Sequence, residues 1–168
     1  YNIPAVINSL VNSDIQVSTA FKPFTINTSS GLKSFDYGSL VIPVSLQEYT
    51  ASELFKKLTN IQNKYQVNIY STSSGLSSGG IDLGSRYVSP MKKQKVMMIV
   101  GTGVRSYEAG EVWHLLDQRV GMPISKIPIR NFDRVSLDSY TTMVIVSGSY
   151  DFNENQLKKI KAVSYTHL

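Results

Sequence analysis

The strongest constraint in this chain of 168 residues is Val96-Met97-Met98-Ile99-Val100, its longest apolar run. Five apolar residues in succession suit a strand buried on both faces, because alternate side chains point to opposite sides of a sheet. The run falls far short of the ~20 residues that cross a bilayer, so it reads as core and no membrane span is expected. Gly101-Thr102-Gly103 follows it. From Ser106 an amphipathic pattern then runs to about Val120, with Ala109, Val112, Trp113, Leu116 and Val120 along one stripe. Strand, glycine turn and helix in this order point to a parallel sheet covered by helices.

The same signals recur along the chain. Short β-branched runs at 15–21, 39–44, 66–70, 95–100, 124–129 and 142–146 read as buried strands. Thr50-x-x-Glu53 forms a capping box ahead of Leu54, Leu58 and Ile61 on one helical face. Pro4 suits the first turn of a short helix ending near Asn12, and a further helix begins near Asn153 with Leu157 and Ile160 facing inward. The fold class is therefore α/β, a parallel-type sheet with helices on both faces. Segment 71–94, which begins STSSGLSSGG, lacks periodicity and reads as an interdomain connector with a boundary near Pro90.

The chain has no Cys, which excludes a disulfide framework, a Cys-ligated zinc and a cysteine nucleophile within these residues. Its 17 Lys and Arg against 12 Asp and Glu give a net charge of +5. The cations form short clusters (Lys56-Lys57, Lys92-Lys93-Lys95, Lys158-Lys159-Lys161), which read as solvated surface; no nucleic-acid module is present, and no nucleic-acid partner is expected.

Three constellations bear on chemistry. Gly101 and Gly103 before a helix opening at Ser106 have the context of a phosphate-binding turn, but Ser106 stands where a dinucleotide fingerprint needs its third glycine. No acidic residue near the next strand end makes a persuasive ribose ligand, Asp133 after Asn131-Phe132 being the nearest, so a tight strand-to-helix turn is the favoured reading. His114 has Glu111 and Asp117 one turn away on either side but lacks a third strong ligand, and no metal is assigned here. Ser147-Gly148-Ser149 follows a strand at its carboxyl end, where its amides can form half an oxyanion hole if a nucleophile comes from elsewhere. Glu108, Glu111 and Asp117 read as solubilising charge on one helix surface.

The run KVMMIVGTGVRSYEAGEVWHLLDQRVGMPIS, residues 95–125, resembles the region that follows the catalytic domain in large bacterial zinc carboxypeptidases of the carboxypeptidase A-like family. There a class I glutamine amidotransferase-like domain is appended. FDYGSLVIPV at 35–44, the helix from Thr50 and GIDLGS at 80–85 look like the joining stretch, so the likeness covers about residues 5–162. It implies an incomplete flavodoxin-like, amidotransferase-like half at 91–162, preceded by an α/β connector region at 1–90.

VIVSGSY at 144–150 would match the strand and glycine turn beside the oxyanion site, with the nucleophile elbow on a later strand beyond Ala162. The family's His-x-x-Glu zinc motif is absent here. Zinc is therefore expected in a catalytic domain preceding Tyr1, with no cofactor in this segment. The resemblance further implies a secreted or periplasmic parent acting on peptide or protein substrates, with this segment packing intramolecularly on the peptidase domain.

The expected function is a non-catalytic accessory segment of such an enzyme. The alternatives are a hydrolase- or amidotransferase-like fragment with its site around Gly101, Gly103, Ser147 and Gly148, or a small anion-binding module using the amides near Ser106. The chain reads as the middle of a longer protein, whose interruption is expected to leave an unpaired strand edge and an uncovered apolar face. VSYTHL at 163–168 resembles the translated end of a sequencing-library adapter and is set aside as a non-native tail.

Overall fold

The computed structural model describes residues 2–165, and the chain divides into two compact units, Tyr1–Lys93 and Gln94–Leu168. In the first, Ile3–Asn12 forms helix α1, with Pro4 in its opening turn where a missing N–H costs nothing. Ala51–Tyr65 forms α2, fixed at its start by the expected reciprocal cap: Thr50 Oγ1 accepts from the Glu53 amide at 3.3 Å and Glu53 Oε2 accepts from the Thr50 amide at 2.9 Å. α2 ends at Gln66, which takes a left-handed φ of 54°.

Ser18–Ala20 (β1), Phe24–Thr28 (β2), Gly31–Phe35 (β3), Leu40–Val41 (β4), Gly79–Gly80 (β5) and Val88–Pro90 (β6) form two small sheets, ordered β4-β1-β6 and β3-β2-β5. Every pairing in both is antiparallel, which overturns the expectation of a parallel sheet for this half of the chain. Parallel neighbours need a crossover of a dozen or more residues, whereas β2 and β3 are joined by Ser29 and Ser30 alone. This hairpin is absent from the sequence reading because its loop is not Asn-Gly; the positive φ, +86°, falls on Gly31 just after the two serines.

Other expected strands shrink or disappear. Residues 66–70 carry no ladder: Val67 packs against the first core, and the Tyr70 ring lies edge-on to Phe35 at 6.1 Å. Of 39–44 only β4 remains, because Pro43 cannot donate to a ladder and Val44–Leu46 coils into a 3-10 turn. Segment 71–94 is no mere connector, since it supplies β5 and β6 and bonds back at Ser78 N–H to Thr25 O (2.7 Å) and Met91 N–H to Val17 O (2.8 Å). One core of this unit gathers Val6, Leu10, Ile15, Val17, Leu54 and Ile61; a smaller one gathers Ala20, Phe24 and Ile26.

The second unit holds the parallel sheet. Val96–Val100 (β7) lies between Ile124–Pro128 (β8) and Thr142–Val144 (β9), all parallel, in the order β8-β7-β9. Alternation along β7 sends Val96 and Met98 into one core and Met97 and Ile99 into another. Ser106–Trp113 (α3), continued by a π-helical turn at His114–Arg119, covers the first face with Ala109, Val112, Trp113 and Leu116. Fully buried Phe132, in the 3-10 stretch Ile129–Arg134, covers the second together with Ile160 of the helix Glu154–Tyr165 (α4).

Both faces of this sheet are thus covered among the described residues, and β8 and β9 are its outer strands. Leu157, expected to point inward, is 43% exposed, because Gln156 and Ile160 take the inward positions of α4. The backbone of α4 continues to Tyr165, into the stretch read as a non-native tail, whose last residues, 166–168, lie outside the described residues. No helix among the described residues is long and apolar enough to cross a membrane.

Met97 has no exposed surface and sits on the central strand. Met97→Ala is expected to destabilise the second unit by roughly 2–5 kcal/mol. Urea unfolding followed by Trp113 fluorescence measures this, and an unchanged midpoint would contradict the two-face core.

Candidate functional site

Parallel sheets place ligands beyond the carboxyl ends of their strands, at the point where the strand order reverses. In this sheet that point lies between the loops after β7 and β9. Gly101, Gly103 and Ser106 occupy the first of these loops and the helix start that follows it, while Ser147 and Gly148 occupy the second; Gly103 meets the Ser147–Ser149 loop directly, whereas Gly101 lies nearest Pro128 and Ile129 after β8.

The two loops close on each other through their own backbones. Arg105 N–H donates to Ser147 O at 3.0 Å, Ser149 N–H donates to Gly103 O at 2.8 Å, and Val104 and Gly148 form an antiparallel bridge. This approach explains the glycines. A Cβ on Gly103, whose φ is +84°, would stand 2.1 Å from Ser149 O, and a Cβ on Gly148 would stand 2.5 Å from Gly103 O. Gly101, at φ +107°, has no such neighbour closer than 3.9 Å and serves the turn itself, with Val104 N–H donating to its carbonyl at 3.1 Å.

Glu108 joins this closure. Three residues after the cap position Arg105, its Oε2 accepts from the Ser147 amide at 2.9 Å while Oε1 lies 3.8 Å from the Arg105 guanidinium. Hydrogen bonds from Ser147 hold its carboxyl below the usual value of 4.5 against the opposing effect of burial, with the Arg105 charge a lesser contribution. A carboxylate in the first turn of α3 also suits the positive end of the helix. Glu108 is therefore not merely solubilising charge, and the signal that could have found it is an acidic residue three positions past a helix start.

Tyr150 stacks on Phe152 with ring centroids 5.1 Å apart, and its hydroxyl donates to Val146 O at 2.6 Å. Burial and the nearby Glu108 charge push its phenol up, partly offset by the Val146 bond, so Tyr150 serves as a neutral donor. The Ser147 and Ser149 amides, expected to be open to an oxyanion, are both engaged, by Glu108 and Gly103 respectively. Ser106 is the first residue of α3, whose cap position is Arg105, without a side-chain cap.

The other weighed residues do structural work. Asp133 Oδ2 accepts from Gln156 Nε2 at 3.1 Å and from Asn153 Nδ2 at 3.4 Å, which ties the loop after β8 to α4. Asn153 and Gln156 cap α4 reciprocally, at 2.9 and 3.1 Å, and Gln156 also donates to Ile129 O, so this buried amide is satisfied. Lys159, expected to be solvated, donates to the carbonyls of Phe132, Asp133 and Val135 and caps the 3-10 stretch. His114 is exposed at the far end of α3, Asp117 accepts from Gln118 at 2.6 Å, and no group of three His, Cys, Asp or Glu among the described residues can hold a metal. His167 lies outside the described residues.

No family model matches this chain, and neither the curated proteins nor the solved structures contain a match to it.

Two outcomes test the closure. Gly103→Ala is expected to destabilise the second unit by more than about 1 kcal/mol, since Ala must adopt a left-handed φ and displace a carbonyl; thermal unfolding unaffected by the substitution would contradict it. Because Glu108 titrates below 4.5 when folded, its contribution is complete above that pH and is lost as pH falls through the folded-state value. Glu108→Gln should flatten that part of the acid-stability profile, and a profile identical to that of the parent chain would count against the Ser147 contact.

Proposed function

We propose that this chain is a non-catalytic accessory segment of a zinc carboxypeptidase similar to the carboxypeptidase A-like family. The observation that carries the reading is a coincidence of boundaries. The stretch with the family resemblance, residues 95–125, spans β7, the glycine loop, α3 with its π-helical turn and the first two residues of β8, a βαβ unit up to the start of its second strand. The order β8-β7-β9 is also the one with which a flavodoxin-like sheet begins. That agreement supports reading the second unit as an amidotransferase-like half.

The closed switch point favours an accessory role over a hydrolytic one. The Ser147 and Ser149 amides, which would serve an oxyanion, already bond to Glu108 and Gly103, and the Glu108 carboxylate repels a further negative charge there. Metal donors do not converge among the described residues, so zinc would be held outside them, as would the groups that cleave the peptide. In this reading the segment packs on a peptidase domain, stabilising it or positioning its peptide substrate, in a secreted or periplasmic protein.

The test is made on the full-length gene product. It is expected to bind zinc and to release C-terminal residues from peptides, with Ser147→Ala and Glu108→Gln each leaving kcat within about twofold. A full-length product without zinc or carboxypeptidase activity would refute the parentage. A loss of kcat on either substitution would refute the accessory role.

A further inference from the structure

A second site lies in the first unit and is independent of the reading above. There Tyr87 is the one described ring with two cations upon it. The Lys22 ammonium stands 3.8 Å from the ring centroid, and the Arg86 guanidinium carbon stands 5.1 Å from it. Arg86 also donates to the Tyr87 hydroxyl at 3.2 Å. Neither cation has a carboxylate within ion-pairing distance among the described residues, although two like charges on one phenol repel each other.

The sheet fixes this arrangement. Ala20 of β1 pairs with Val88 of β6, and Phe21 N–H donates to Tyr87 O at 2.8 Å, so the segments bearing Lys22 and Tyr87 lie side by side. Tyr87 N–H in turn donates to Ser85 Oγ at 3.3 Å. Hydrogen bonds from Arg86 and Lys22, together with the Lys22 charge, hold the phenol below its ordinary value of 10.0. With its oxygen accepting from Arg86, the Tyr87 hydroxyl keeps its own O–H as a donor.

The geometry points to an oxyanion-binding site at Lys22, Arg86 and Tyr87, taking a carboxylate or phosphate group of a ligand. An anion there meets a guanidinium fork, an ammonium and a phenolic donor, and it relieves the repulsion between the two cations. The site is open to water, so it suits the charged end of a larger molecule.

The test titrates the full chain with inorganic phosphate in one arm and acetate in the other, at constant ionic strength against chloride. The side-chain NMR signals of Arg86, Lys22 and Tyr87 are followed. A saturable shift is expected in at least one arm, and the arm that saturates at lower concentration identifies phosphate or carboxylate as the preferred group. Arg86→Gln should raise the half-saturation concentration about tenfold, and Tyr87→Phe, which keeps the ring, about threefold. Arg86 is exposed and Tyr87 half-buried, and unchanged amide spectra elsewhere would show each variant folded. Linear shifts in both arms, or half-saturation unmoved in Arg86→Gln, would overturn the site.

Discussion

The structure of the second unit depends on the two-sided burial of β7. Because Val96 and Met98 face one way and Met97 and Ile99 the other, this strand must be the middle of its sheet and must be covered twice. Its neighbours β8 and β9, the stripe of α3 and the Phe132 and Ile160 cover all answer that demand. With the sheet ordered β8-β7-β9, the glycine loops after β7 and β9 meet at the strand carboxyl ends.

That half of the chain was the more legible in sequence, for a physical reason. An unbroken apolar run, a stripe at helical spacing and residues capable of reciprocal capping are local signals, and β7, α3 and α4 rest on them. The first unit rests on less local ones. β1, β4, β5 and β6 have two or three residues each and are defined by partners far along the chain, which no window of sequence reveals. Gly79 and Gly80 read as flexible linker and instead pair with Phe24 and Thr25. At the candidate site the glycines and serines were visible, but their bonding to each other was not. Gly103 and Gly148 look alike whether they admit a ligand or a neighbouring backbone, and only the carbonyl oxygens beside them decide.

The excess of positive charge finds aromatic partners in a similar non-local way. Lys57 lies over Tyr49, Lys126 over Trp113 and Lys159 over Phe132, at 4.6, 4.7 and 5.3 Å from the ring centroids. Such contacts let a long side chain cover apolar surface while its charge is still stabilised. Most of the clustered lysines, among them Lys56, Lys92, Lys93, Lys95 and Lys158, are exposed as their sequence suggests; Lys159 departs, anchored by three carbonyls although its neighbours in sequence are also basic.

The central claim is that the switch point of the parallel sheet is filled by the chain's own backbone. Amide hydrogen exchange at Arg105, Ser147 and Ser149 measures this directly, since these three N–H groups donate across the closure. Strong protection at all three, comparable to that of the β7 ladder, is the predicted result; exchange at the rate of an unstructured peptide would mean that the loops stand open and that a ligand site remains there.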